Sequence, residues 1–96
     1  QDTPDLHLRN EKAETVTVYD DEAFLIENAH SEQGYFLIEQ QSESDKRHSI
    51  RCIPLTTLER GMHKDRLLFD VVQGGARYGE SIEVTVYTFS TTSVKE

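Results

Sequence analysis

Near the end of the chain, Ile82-Glu83-Val84-Thr85-Val86-Tyr87 sets apolar and polar side chains in strict alternation. A period of two places Ile82, Val84 and Val86 on one face of an extended strand, and no helix reproduces it. The same period runs through Leu6 and Leu8 and through Thr15-Val16-Thr17-Val18-Tyr19. Further apolar runs at residues 23–27, 35–39, 48–53 and 67–72 recur at intervals of roughly 8–12 residues, with turn residues between them. The expectation is an all-β fold: a small single-domain antiparallel barrel or sandwich of about six or seven short strands with one short helical turn, a strand number that suits both architectures. With 96 residues there is material for one core only. Residues 1–96 therefore read as a single β domain, of which Ser90 to Glu96 lose the pattern and read as a frayed tail.

Leu6 and Leu8, a turn over Asn10 to Ala13, and Val16 with Val18 suggest a first hairpin. The unit Phe-Leu-Ile-Glu then occurs twice, at residues 24–27 and 36–39. Folded into an antiparallel hairpin through residues 29–33, the two copies set Phe24 opposite Ile38, Leu25 opposite Leu37 and Ile26 opposite Phe36. Three adjacent bulky residues make both faces apolar, so such a hairpin is central, covered or part of an interface. A helix over residues 21–33, capped by Asp20 or Asp21 and stopped at Gly34, ranks second because the three residues do not follow a one-face stripe.

Gln40 to Asp45 reads as a loop and His48 to Ile53 as a strand ended by Pro54, which cannot donate to a ladder. Thr56-Thr57-Leu58-Glu59 fits a capping box with Gly61 as its stop, which predicts a single helical turn. Leu67 to Val72 and Ile82 to Val86 predict a last hairpin closed near Gly74-Gly75.

Little in the chain reads as catalytic machinery. Nucleophilic catalysis in one sequence is visible only through flanking motifs, and neither Gly-x-Ser-x-Gly nor a phosphate-cradling glycine loop is present. His7, His30, His48 and His63 show no i, i+2 or i, i+4 spacing, and Cys52 is the only cysteine, so neither a metal site nor a disulfide within the chain is expected. Cys52 lies inside a strand-like run and reads as a small buried hydrophobe. Asp20-Asp21-Glu22 reads as a solvated turn, because a calcium loop needs oxygens at alternating positions and a turn glycine. No catalytic residue, metal or cofactor is assigned.

Charge is unevenly placed. Residues 1–45 hold 12 acidic and 2 basic side chains, whereas residues 46–77 hold 3 acidic and 7 basic. One region can attract anions although the whole carries a formal charge of −8. Equally, opposite charges on neighbouring strands can neutralise each other. No apolar run approaches the roughly 20 residues of a spanning helix, and Gln1 to Asn10 lacks a charged-then-apolar signal pattern. The chain is expected to be soluble and off the membrane, with a cytoplasmic setting favoured slightly.

Asp65-Arg66-Leu67-Leu68-Phe69-Asp70-Val71-Val72-Gln73-Gly74-Gly75 resembles the fourth strand and following turn of cold-shock domains, which are small five-stranded OB-fold barrels. Thr15 to Asp20 is similar to their opening strand, and Gln33-Gly34-Tyr35-Phe36-Leu37-Ile38 to their first RNA-binding motif, in an order preserved over roughly 70 residues. The resemblance implies a binder of single-stranded RNA or DNA, with Tyr35 and Phe36 as stacking platform and Lys46, Arg47 and Arg51 on phosphates. The chain departs from that pattern at Leu37, where the family has Phe, and at Ile50-Arg51-Cys52-Ile53, which carries no aromatic residue.

Two functional expectations result. The leading one is a non-enzymatic interaction domain that acts through protein–protein contacts or self-association as a homo-oligomer, with Leu25, Leu37 and Tyr35 as interface residues. The alternative is the OB-like binder of single-stranded nucleic acid.

Overall fold

A computed structural model describes residues 5–9 and 12–88. They form seven strands: β1 (Asp5–Arg9), β2 (Glu14–Tyr19), β3 (Leu25–Ser31), β4 (Phe36–Ser44), β5 (Arg47–Pro54), β6 (Gly61–Gln73) and β7 (Ala76–Thr88). The predicted tail at residues 90–96 lies outside the described residues.

The strands divide into a four-stranded sheet of order β1-β7-β6-β3 and a three-stranded sheet of order β2-β5-β4. This is a sandwich, and the barrel implied by the cold-shock resemblance does not form. Strands three, six and seven on one sheet and two, five and four on the other are the pairings of an immunoglobulin-type Greek key. The first strand is carried to the other sheet, where it runs parallel to β7, Leu6 beside Val84 and Leu8 beside Val86.

Alternation decides what faces the core. From the larger sheet come Leu8, Ile26, Leu67, Phe69, Ile82, Val84 and Val86, from the smaller Phe36, Ile50 and Cys52, and from the connection before β3 Phe24, all buried. Val16, Val18, Ile38 and Val71 pack against them, partly buried. Fully burying an aliphatic or phenylalanine side chain is worth about 1.5–3 kcal/mol, so this inner layer dominates stability.

The last hairpin is as expected, and longer. Strands β6 and β7 pair from Gly61 opposite Thr88 to Gln73 opposite Ala76. Gly74 and Gly75 close it with φ of 59° and 81°, the two positive angles that a two-residue turn matching strand twist requires.

Four expectations are corrected. Strands β1 and β2 do not form a hairpin, because β2 pairs with β5 in the opposite sheet; only an isolated bridge joins Arg9 and Lys12. Residues 40–44 continue β4 rather than forming a loop, since their ladder to β5 runs on, with a register shift between Ser42 and Ser44, even where the apolar core has ended. Residues 55–60 hold no helical turn. They carry the chain from one sheet to the other, with Leu58 packed on the core and Leu55 N–H bonded to the Tyr35 carbonyl at 3.1 Å, and that path overrides the capping-box preference.

The fourth correction concerns the repeated unit. Its two copies do not pair: β3 runs antiparallel to β6, and β4 to β5. Phe and Ile of each copy point into the core from opposite sheets, while Leu25 and Leu37 point outward on opposite faces of the sandwich.

The β3–β4 crossing is tied down by Asp65 on β6, a carboxylate only 3% exposed. It accepts hydrogen bonds from the Ser31 hydroxyl at 2.5 Å, the Gln33 amide at 2.8 Å, the Tyr35 amide at 3.1 Å and the Arg66 amide at 2.6 Å. The Ser31 oxygen in turn accepts from the amides of Gly34 and Tyr35. Gly34, at φ of 83°, supplies the left-handed residue of this crossing. At the other end, buried His48 donates from Nε2 to the Phe24 carbonyl at 2.8 Å, which leaves Nδ1 to accept from the Ser42 hydroxyl at 2.7 Å. These two polar ties bridge the sheets where apolar contact alone leaves the crossings unspecified.

Candidate functional site

The outer face of the smaller sheet collects the basic residues singled out by sequence. Arg47 and Arg51 both point outward from β5. Each is engaged: Arg51 bonds Glu39 at 2.8 Å, and Arg47 bonds Glu43 at 3.0 Å while lying 5.5 Å from the centroid of the Tyr19 ring. Lys46 is exposed in the neighbouring β4–β5 turn.

Tyr35 and Phe36 do not join them. Phe36 is 3% exposed and belongs to the core, so it cannot stack on a base while the domain is folded. Tyr35 sits in the β3–β4 crossing with its ring tilted against His63, centroids 5.3 Å apart. Phe36 pairs with Pro54 at one end of β5 and Arg47 lies at the other. At 3.3 Å per residue the span is about 23 Å. Of the residues assigned to stacking and phosphate contact, only the cations share a surface.

The expected interface residues separate in the same way. Leu25, 56% exposed, lies beside Val72 on the outer face of the larger sheet. Leu37, 57% exposed, lies beside Ile53 on the outer face of the smaller one. Tyr35 is part-buried in the β3–β4 crossing, beyond the end of β3 opposite Leu25. The result is two aliphatic pairs facing opposite directions, in place of one two-faced hairpin.

Sequence reasoning missed the most structured part of the surface, on the outer face of β3, β6 and β7. A register shift between Glu27 and His30 bulges β3, with Asn28 at φ of 59°. A bulge re-aims the side chains beside it. Asn28 donates its amide to Asp70 at 2.9 Å; Asp70 also accepts from Arg77 at 3.1 Å; Arg77 reaches Glu27 at 2.6 Å. The Asn28 hydrogen bond, reinforced by Arg77, holds the Asp70 carboxyl below the usual carboxylate range, and the bond to Glu27 raises Arg77. His30 donates from Nδ1 back to the Asn28 carbonyl at 2.7 Å, and above it Arg66 bonds Glu83 through Nε at 3.2 Å. Between these groups lies a hollow of about 430 Å³ on Leu68. The signals that point to it in sequence are Asn28 interrupting a strand and Gly79 lying within one.

Cys52 is fully buried, and burial pushes its thiol up to about 11, far from a thiolate nucleophile at neutral pH. Among the described residues no three His, Cys, Asp or Glu side chains gather in a way that could hold a metal ion.

No family model matches the chain, and no curated protein matches it. Among solved structures it is similar to the endo-fucoidan hydrolase MfFcnA4 from glycoside hydrolase family 107, with a TM-score of 0.65 at 15% identity over 98% of this chain. A variant of that enzyme gives 0.51 at 15% identity over 93% of this chain. The chain spans only 14% and 13% of those proteins' length. At such identity the likeness is one of fold: a β-sandwich of this topology occurs as a segment of a much longer glycoside hydrolase.

Proposed function

We propose that the chain is a non-catalytic interaction module that engages protein surfaces, either a neighbouring domain of a longer polypeptide or another copy of itself, through the outer faces of its sandwich. The observation that carries the reading is the outward aliphatic pair on each face, Leu25 with Val72 and Leu37 with Ile53, where Leu25 and Leu37 each keep more than half their surface in water. Covering such side chains gains about 25 cal/mol for each Å² removed from solvent, and a solitary sandwich leaves that gain unused. Several of the polar groups are occupied in holding the fold: Asp65 and His48 tie strands together, and Arg47 and Arg51 are bonded to Glu43 and Glu39. The match to a short segment of far longer enzymes supports a modular setting.

Light scattering tests the self-association arm. A dimer or larger species is expected, weakened by Leu25→Asp or Leu37→Asp with the circular dichroism spectrum unchanged. A well-behaved monomer at high concentration refutes self-association and leaves a foreign protein surface as the partner.

A further inference from the structure

Gly79 is the outlier that opens this question. It lies within β7, paired with Asp70, and its backbone is not left-handed, so no turn or strain requires glycine there. A Cβ at this position meets only Asp70 Oδ1 at 3.9 Å, an ordinary contact. Glycine within a strand forfeits packing and backbone entropy, and a mid-strand glycine without conformational need marks a place that something else approaches closely. Gly79 borders the open hollow of about 430 Å³, a volume within the size range of small-molecule sites.

The walls of that hollow are fixed before anything enters. Register sets Ser81, Leu68 and His30 in one row across β7, β6 and β3, with Gly79 and Asp70 in the next. The bulge at Asn28 and the Asn28–Asp70–Arg77–Glu27 network hold the lower wall, and the Arg66–Glu83 pair holds the upper. Several polar groups remain free for a ligand. The Ser81 hydroxyl has no hydrogen bond among the described residues, Arg66 uses only Nε on Glu83, and His30 uses only Nδ1 on Asn28. Leu68 offers an apolar floor.

This chemistry selects its ligand. Arg66 is paired with Glu83 and the lining also carries Asp70 and Glu80, so an anion finds no uncompensated positive charge. The lining holds no aromatic plane for a base apart from the inward-facing Phe69. Donors and acceptors are mixed around a small apolar floor, which suits a ring with hydroxyls on its rim and a C–H face beneath. We infer that the Gly79 hollow on the outer face of β3, β6 and β7 is a binding site for a neutral pyranose sugar, seated on Leu68 and hydrogen-bonded by His30, Arg66 and Ser81. The site shares no residue with the aliphatic pairs of the proposed interface, although Leu25 and Val72 lie on the same face of the larger sheet.

The test is amide-resolved NMR titration of the chain with the methyl glycosides of glucose, galactose and mannose, and with inorganic sulfate as control. At least one glycoside is expected to give saturable shifts confined to the amides around His30, Leu68, Gly79 and Ser81. Gly79→Trp, whose ring suits an extended strand and takes up much of the hollow, is expected to abolish them while melting no lower than the parent. Ser81→Leu, which closes the same space from the next row, serves if the first variant folds poorly. Absence of saturable shifts with all three glycosides overturns the inference, as do shifts that persist in a folded hollow-filling variant. Sulfate shifting the same amides as strongly as a glycoside also overturns it, in favour of an anion site.

Discussion

Replacing Asp65 with alanine removes one carboxylate shared by four donors, of which the Tyr35 amide alone keeps a second acceptor, the Ser31 oxygen. Three of them, the Ser31 hydroxyl and the amides of Gln33 and Tyr35, belong to the β3–β4 crossing, and the fourth is the Arg66 amide next to it in sequence. Hydrogen bonds to a charged group contribute about 1.5–3 kcal/mol each, net of the water they displace. The contributions do not add, because the four share one acceptor and the crossing lies partly in water where freed amides rehydrate. A loss of about 3–4 kcal/mol follows, a large share of the 5–15 kcal/mol of a typical domain. At about 4–8 °C per kcal/mol for a chain of this size, the melting temperature falls by roughly 12–30 °C.

Urea unfolding followed by circular dichroism measures it, with the midpoint falling and the slope unchanged. Asp65→Asn keeps the shape and one acceptor oxygen but turns a donor toward the crossing, and it recovers only part of the loss. Hydrogen exchange supplies a local check: the amides of Gln33 and Tyr35 exchange faster in the alanine variant under conditions where the β6–β7 ladder remains protected. A cost below about 1 kcal/mol for Asp65→Ala refutes the reasoning, since the crossing is then held by its own turn and not by the carboxylate.

Two further outcomes rest on titrating groups. Cys52, buried with its thiol pushed up to about 11, is expected to stay unlabelled by a disulfide-exchange reagent at neutral pH and to react once urea unfolds the chain; rapid labelling of the native protein contradicts its placement. Asp70 is held below its ordinary value, chiefly by the Asn28 hydrogen bond and then by Arg77. A carboxylate lowered on folding stabilises above its unfolded pKa of about 3.9, and that contribution fades as the pH falls through its folded value. Asp70→Asn therefore flattens the acid limb of stability below about pH 4 and leaves the curve near neutrality parallel to the parent; an acid limb equally steep in the variant contradicts the assignment.

The inner layer was legible in sequence because it depends only on the pleat. Val16 and Val18, Ile82, Val84 and Val86 alternate with polar neighbours, and each points inward as a period of two requires. The β6–β7 hairpin was legible because Gly74-Gly75 fixes register locally. The polar stretch at Gln40 to Ser44 was not, because β4 is stabilised there by its ladder to β5 and not by burial, and a ladder leaves no mark on hydropathy. The capping box at Thr56 to Glu59 is a local preference worth about 1 kcal/mol, too little against the demand that residues 55–60 span the end of the sandwich.

The repeated Phe-Leu-Ile-Glu unit shows where local reading stops. Two apolar runs separated by a short polar link with a glycine satisfy every local rule for a hairpin. They lie instead in opposite sheets, one paired with β6 and the other with β5, and the crossing between them is held by a side chain 30 residues from Tyr35, Asp65 on β6, which accepts from the Tyr35 amide. The hollow on the outer face has the same origin. His30, Leu68 and Ser81 become neighbours only through the registers of β3 with β6 and of β6 with β7, so no spacing along the chain announces them. The sequence does carry two residues that oppose strand preference, Asn28 within β3 and Gly79 within β7, and the structure gives Asn28 a positive φ. Positions that oppose local preference tend to be retained where the surface is used, and here two of them, from strands not adjacent in the sheet, border the same hollow.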